Sequence, residues 1–383
     1  MKIARAGSFL FAAAALLACG NAATTQEFRA AAPTLEKLAI AQNDADVTDA
    51  TLGSDSTPGA AAVITPECHP HLFVRTHEII GRVNRHFNKH LHHVEELIRN
   101  NPLGDGETKT WENVRGDVDR KFTMTRTANL DGSVTYDFEL DVAPAPSSGT
   151  PAFVKAMWGS ITHVGPASTD ADAGAGELLE DKGTVTFDYT ALASVETHER
   201  ARGQITDTFD NVHDPVKGVK RSASIALTDF VPEEGDRHGP RSGSYLWERE
   251  PNVGGKFQFQ DTVVLFCLRN PAEAQSDVTT VARWYKADGG QVHGRSDSKA
   301  TGGQLPAGQT WMGVTCAKGQ TTAMPAEGFW MMKLEDAAGA TVTSQSAQVG
   351  TEPCDPVFGA VPSATDNLTD YDFSAPVTFP GEW

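Results

Sequence analysis

Short runs in which apolar and polar side chains alternate recur along most of this chain. The clearest run places Val134, Tyr136, Phe138, Leu140 and Val142 at every second position, with polar residues between them. Successive side chains of a β-strand point to opposite faces of a sheet, so this period predicts strands with one buried and one hydrated face. Such strands are typical of antiparallel sheets, and this constrains the fold more than any other feature.

The same alternation continues through the C-terminal third of the sequence. Further runs occupy residues 185–189, 223–227, 257–267, 279–285, 310–316 and 329–335. Turn residues separate them, as Asp131 and Gly132 do before the first run. We therefore predict a mainly β fold, an antiparallel curved sheet, sandwich or open barrel.

One segment near the N-terminus has a helical period instead. Its apolar residues at steps of three or four are Ile80, Val83, Phe87, Leu91, Val94 and Ile98. They predict one amphipathic helix over residues 76–98, which Asn100, Asn101 and Pro102 end. We expect this helix to dock on the sheet through the apolar stripe.

The first residues of the chain have the character of an export signal. Lys2 and Arg5 precede a short apolar run, residues 9–17. The sequence Leu16-Leu17-Ala18-Cys19 that closes this run resembles the lipobox of bacterial lipoprotein precursors. The alternative is an ordinary signal peptide that is cut at residues 13–15.

The resemblance to lipoproteins implies a location. It implies cleavage before Cys19 and attachment of acyl chains such as palmitate to that thiol and to the new amino terminus, which would anchor the chain stably in a membrane. Because Gly20 and not Asp follows the cysteine, the resemblance further implies sorting to the outer membrane of the bacterial envelope, with the chain facing the periplasm or the surface.

Composition and period together divide the chain into five parts. These are a signal peptide at 1–18, a lipidated disordered tether at 19–66, the helix with its histidines at 67–102, a main β domain at 103–272, and a C-terminal β subdomain with an irregular tail at 273–383. The tether is predicted from its content of Ala, Thr, Asp, Ser and Gly without a long apolar period.

The formal net charge of −18 limits the partners. It argues against nucleic acid, whose phosphates need a basic surface, and against electrostatic attachment to anionic lipid. Membrane contact is therefore expected only through the N-terminal acyl chains. Such a protein would bind a lipid, a glycan or an envelope protein.

The chain has 5 cysteines, of which Cys19 belongs to the lipobox-like sequence. Four further cysteines in an exported protein suggest two disulfides, and three pairings are open. We favour Cys316 with Cys354, since both lie in the C-terminal third, and Cys68 with Cys267.

Histidines are concentrated around the predicted helix. His86, His90 and His93 share a narrow arc, because steps of four and three residues return to the same face. Neutral imidazoles at this spacing bind Zn²⁺, Cu²⁺ or Ni²⁺ when a further ligand, which here is His69, His71 or Glu96, completes the site. The alternative, which we favour at this point, is a hydrated helix edge with no metal.

Motifs of catalysis are missing from the sequence. It contains no nucleophile elbow, no phosphate loop and no dinucleotide fingerprint. We therefore expect no catalytic residue and no cofactor, and a non-catalytic envelope lipoprotein with a binding, carrier or structural role. The alternatives are a metal-binding protein that uses the histidine helix, and an enzyme whose site lies on loops without a recognisable motif.

Overall fold

The strands form one open antiparallel sheet. The structure, a computed structural model, describes residues 24–40, 72–104, 106–145, 152–164, 179–214, 218–232, 240–250, 253–263, 276–286, 291–303, 305–320, 326–348, 354–355 and 358. Within them, 14 strands pair in sequence order from β1 to β14. The prediction of a mainly β fold with an antiparallel curved sheet and a docked helix is confirmed.

Each strand pairs with the next one along the chain. The strands are β1 Thr108–Arg115, β2 Val118–Ala128, β3 Val134–Pro144, β4 Val154–Val164, β5 Leu179–Asp188, β6 Arg202–Asp214, β7 Gly218–Val231, β8 Arg241–Glu250, β9 Gly254–Val263, β10 Ser276–Lys286, β11 Gln291–Thr301, β12 Thr310–Gln320, β13 Ala326–Glu335 and β14 Thr341–Gln348. The helices are α1 Thr25–Ala31, α2 Leu35–Leu38, α3 Leu72–Ile98 and α4 Tyr189–Val195. None of the described helices has an apolar stretch long enough to span a lipid bilayer.

The long helix α3 lies against the inner face of the sheet. It has 27 residues, about 40 Å of helix, and contacts both β1 and the three strands β10, β11 and β12. Every apolar side chain of the predicted stripe is buried, and Phe87, Leu91 and Val94 are fully so. The Phe87 ring stacks on Phe187 of β5 with ring centroids 5.4 Å apart. The sheet therefore curves around the helix, and the helix occupies its concave side.

Residues 24–40 correct the prediction of a disordered tether over residues 19–66. They form α1 and α2, and Phe28, Leu38 and Ile40 are buried in the main core. The Phe28 ring packs edge-on against Tyr136 of β3 at 5.5 Å. A few well-placed apolar side chains order this short segment because a large core receives them. The rest of the predicted tether lies outside the described residues.

Polar contacts hold this N-terminal segment onto α3. The Arg29 guanidinium donates hydrogen bonds to the carbonyl oxygens of Ile98, Arg99 and Asn100, at 2.6, 3.1 and 3.0 Å. Carbonyls at a helix C-terminus lack partners within the helix, so a cation there stabilises the end. The buried Asn84 side chain pairs with both backbone groups of Ile40, at 2.9 and 2.5 Å.

The sheet is continuous where the sequence suggested a division. The proposed boundary falls after residue 272, yet β9 pairs with β10 over ten residue pairs, from Ser276 with Val263 to Tyr285 with Gly254. Strands β10 to β12 are buried on both faces, unlike β3, whose burial alternates. A division into two β units stays a prediction.

We predict that Phe87→Ala lowers the free energy of unfolding by about 3–5 kcal/mol, because the ring is fully buried between α3 and β5. Urea unfolding followed by circular dichroism measures this change. Arg82→Ala on the exposed side of the same helix is the matched control and is expected to change stability by less than about 0.5 kcal/mol. Equal small effects from both variants would contradict the packing of α3 on the sheet.

Candidate functional site

Three ionisable side chains meet at the interface between α3 and the turn after α4. His90, Glu196 and Glu199 each offer one ligand atom, and these atoms lie within 4.8 Å of one another. All three residues are buried, and His90 is only 1% exposed. The His90 Nε2 atom is 2.9 Å from the Glu199 Oε2 atom. A nitrogen donor and two carboxylates thus converge in a place that water reaches poorly.

The turn after α4 brings the two glutamates together. Glu196 is the C-cap residue of α4, and its N–H donates to the Leu192 carbonyl at 2.7 Å. The Glu199 N–H then donates to the Glu196 carbonyl at 3.0 Å. This tight turn directs both carboxylates toward α3.

Cations balance both carboxylates. Glu199 accepts from Lys89 Nζ at 2.8 Å, and Glu196 accepts from Arg120 Nη2 of β2 at 2.7 Å. Burial by itself would raise the pKa of Glu199, but hydrogen bonds from His90, Lys89 and the Ala201 N–H hold that pKa well below its usual range. The Glu199 carboxylate is therefore ionised at neutral pH.

Aromatic rings close the site on the other side. The His86 ring lies edge-on to Tyr189 at 5.6 Å and to Phe230 of β7 at 5.1 Å. The His90 ring lies edge-on to Tyr189 at 5.4 Å. Burial lowers the pKa of His86 to about 4, so its imidazole is neutral at physiological pH. The buried Tyr189 hydroxyl has no hydrogen-bond partner among the described residues, and burial raises its pKa well above the usual value.

The three histidines that share one arc of α3 have different surroundings. His90 faces Glu199, and His86 packs on aromatic rings. His93 Nδ1 lies 3.9 Å from Glu96 Oε2, and burial together with Arg120 lowers the His93 pKa to about 4. The carboxylates beside His90 thus come from residues 196 and 199, while a site made of His86, His90 and His93 stays a prediction.

A second histidine and carboxylate group lies across β4, β5 and β6. Asp181 is hydrogen bonded to His163 and lies 3.5 Å from His213 Nε2. Burial would raise the Asp181 pKa, but these two histidines hold it well below its usual range. The His213 side chain is 41% exposed, so this group is more open to water than the His90 cluster.

One predicted disulfide is present in the described part of the chain. Cys316 of β12 is bonded to Cys354, which ties residues 354–355 and 358 to the outer face of the sheet. Asp355 there lies 2.6 Å from His293 Nδ1 and accepts from the Tyr285 hydroxyl. The predicted partners Cys68 and Cys267, and the lipidation residue Cys19, lie outside the described residues.

The outer face of β1 to β6 carries rows of hydroxyl side chains. Cross-strand register places in one row Thr110, Thr123, Glu139, Trp158, Thr186 and Thr206. A parallel row holds Thr108, Thr125, Asp137, Ser160, Thr184 and Thr208. Pairs of threonine hydroxyls face each other across strands, for example Thr186 and Thr206 at 3.0 Å. Trp158 is the one aromatic side chain in these two rows, and it is half-buried.

Reasoning from sequence missed Glu196, Glu199 and Arg120. His90 and Glu199 are 109 residues apart, and no periodic pattern connects them. The spacing of the two glutamates, with two residues between them shortly after the predicted strand at 185–189, was the available local signal.

Comparison with protein-family models, curated proteins and solved structures found no match to this chain.

We predict that His86→Phe reduces the loss of stability in acid. The folded-state pKa of about 4 lies below the usual value, so the stability linked to neutral His86 is full above about pH 6.5 and is lost as pH falls toward 4. Phenylalanine keeps the ring contacts without a titratable nitrogen. Urea unfolding at about pH 7 and pH 4.5 measures the difference, with the exposed His92→Gln as control. An unchanged pH dependence in His86→Phe would contradict this assignment.

Proposed function

We propose that this chain is a lipid-anchored lipoprotein of the bacterial envelope, and that it acts by binding a glycan on the outer face of its sheet. The observation that carries the proposal is the pair of registered hydroxyl rows around Trp158 on β1 to β6. The chemistry is binding without catalysis.

The location rests on two features. The lipobox-like sequence that ends at Cys19 supports export and acylation. The Cys316–Cys354 disulfide supports an oxidising compartment, because structural disulfides are rare in the cytosol.

The inner face favours binding at the outer face over a carrier role. A carrier of acyl chains needs a cavity between sheet and helix. Phe87, Leu91 and Val94 of α3 fill this space in the described residues and belong to one continuous core with the sheet. Among the described residues, the outer face of β1 to β6 is partly exposed, although Thr186 is buried.

The chemistry of the outer face matches a sugar polymer. An indole ring offers a flat apolar face with a polar N–H, which suits the apolar face of a pyranose ring. The threonine hydroxyls donate and accept, and the Glu139 and Asp137 carboxylates accept, so the rows complement sugar hydroxyls. Strands lie about 4.8 Å apart, so six strands offer these groups over about 24 Å. A glycan that lies across the β-strands would contact one or more of these groups on each strand.

We predict that Cys19→Ala releases the protein from the membrane, because the acyl chains would lose their attachment point. Fractionation of the cells into membrane and soluble parts, with detection of the protein in each, measures the change. A Cys68→Ala variant is the control for the loss of a cysteine elsewhere. A Cys19→Ala protein that matures and sediments with membranes as the wild type does would contradict the anchor.

We predict that Trp158→Ala weakens binding of the purified chain to isolated peptidoglycan at least tenfold in a co-sedimentation assay, because the aromatic anchor of the face is lost. Leu246→Ala is the matched control, since Leu246 is 44% exposed on β8 of the same face. Circular dichroism verifies that both variants are folded. Wild-type protein that stays in the supernatant, or a Trp158→Ala protein that sediments as the wild type does, would contradict glycan binding by this face.

A further inference from the structure

We propose that His90, Glu196 and Glu199 bind one divalent transition-metal ion. Their ligand atoms, one ring nitrogen and two carboxylate oxygens, lie within 4.8 Å of one another. Imidazole nitrogen and carboxylate oxygen are common ligands of Zn²⁺ and of neighbouring metals in the series. The inference is independent of glycan binding on the outer face.

The distances between the ligand atoms are near those that an ion requires. Zinc lies about 2.0–2.2 Å from nitrogen and oxygen ligands, so two ligand atoms at tetrahedral angles are about 3.3–3.6 Å apart. His90 Nε2 and Glu199 Oε2, at 2.9 Å, are slightly closer than this. The other separations, up to 4.8 Å, need to shorten by about 1 Å.

The open carboxylate oxygen of Glu196 is the second observation. The Glu196 side chain is only 9% exposed, and Arg120 contacts its Oε1 atom. Among the described residues, its Oε2 atom has no hydrogen-bond partner. A metal ion can bind this oxygen without displacing Arg120.

The cations of the site leave room for an ion. The Lys89 side chain is 44% exposed and sits on the outer side of α3, so its ammonium can leave Glu199 for water. Arg120 contacts only Oε1 of Glu196, so Oε2 has no hydrogen-bond partner among the described residues. An incoming ion would therefore replace Lys89, while Arg120 would keep the Glu196 carboxylate in position.

The test is a zinc titration of the purified full chain by calorimetry at neutral pH, after treatment with a chelator. The wild type is expected to bind one Zn²⁺ with a dissociation constant in the low micromolar range or below. Glu199→Gln is expected to weaken this binding at least tenfold. Two controls are expected to keep the binding of the wild type. The first is His92→Gln, whose exposed ring lies on the same helix. The second is His86→Phe, which keeps an aromatic ring beside Tyr189 but removes the nitrogen that the alternative site of three histidines needs.

A second variant covers the case in which Glu199→Gln does not fold. Lys89→Ala removes the competing ammonium and is expected to tighten zinc binding severalfold and to increase the rise in melting temperature that zinc causes. Wild type and Lys89→Ala that both bind more weakly than about 100 μM would overturn the proposal. Binding that survives in Glu199→Gln, or that His86→Phe or His92→Gln abolishes, would overturn it as well. Each of these results leaves the peptidoglycan assay unaffected.

Discussion

The fold depends on covering the concave apolar face of one very wide sheet. Strands with alternating burial expose a continuous apolar surface on one side, and water contact there is unfavourable in proportion to its area. The helix α3 covers this surface along its length, from Leu72 beside β12 to Ile98 near β1. A helix with an apolar stripe and a sheet with an apolar face are each unstable alone, so they stabilise each other.

Apolar packing alone would let a helix slide in such a channel, and buried polar contacts fix its position. Asn84 pairs with the backbone of Ile40, and Arg29 binds the last carbonyls of α3. His90 is aligned with Glu199 of the turn after α4. A buried polar group without its partner is unfavourable, so each of these pairs makes one position of α3 along the sheet more stable than a shifted position. The candidate metal site is thus part of the same set of contacts that locates the helix.

Local periodicity was enough to predict the long helix and the strands. It could not predict contacts between residues that are distant in the chain. The stripe through Phe87 and the alternation through Phe138 identified α3 and β3 because each pattern lies within one element. The Cys316–Cys354 pairing also followed from proximity in the chain. Residues 24–40 were misjudged because Phe28 and Ile40 are ordered by a core that other segments build. Glu196 and Glu199 were missed for the same reason, since only the folded sheet brings them to His90.

Strands β10 to β12 are buried on both faces, and this distinguishes them from β1 to β6. Arg295 is fully buried on the outer face of β11 and donates to Asp297 at 2.9 and 3.0 Å, and Arg283 reaches the same carboxylate at 2.9 Å. Buried charges persist only when they are paired in this way. Residues 354 and 358 lie on this face, because Cys354 is bonded to Cys316 and Arg295 donates to the Phe358 carbonyl at 3.4 Å. The covered strands therefore stabilise the sheet, and the outer face of β1 to β6 is the one available for the proposed glycan.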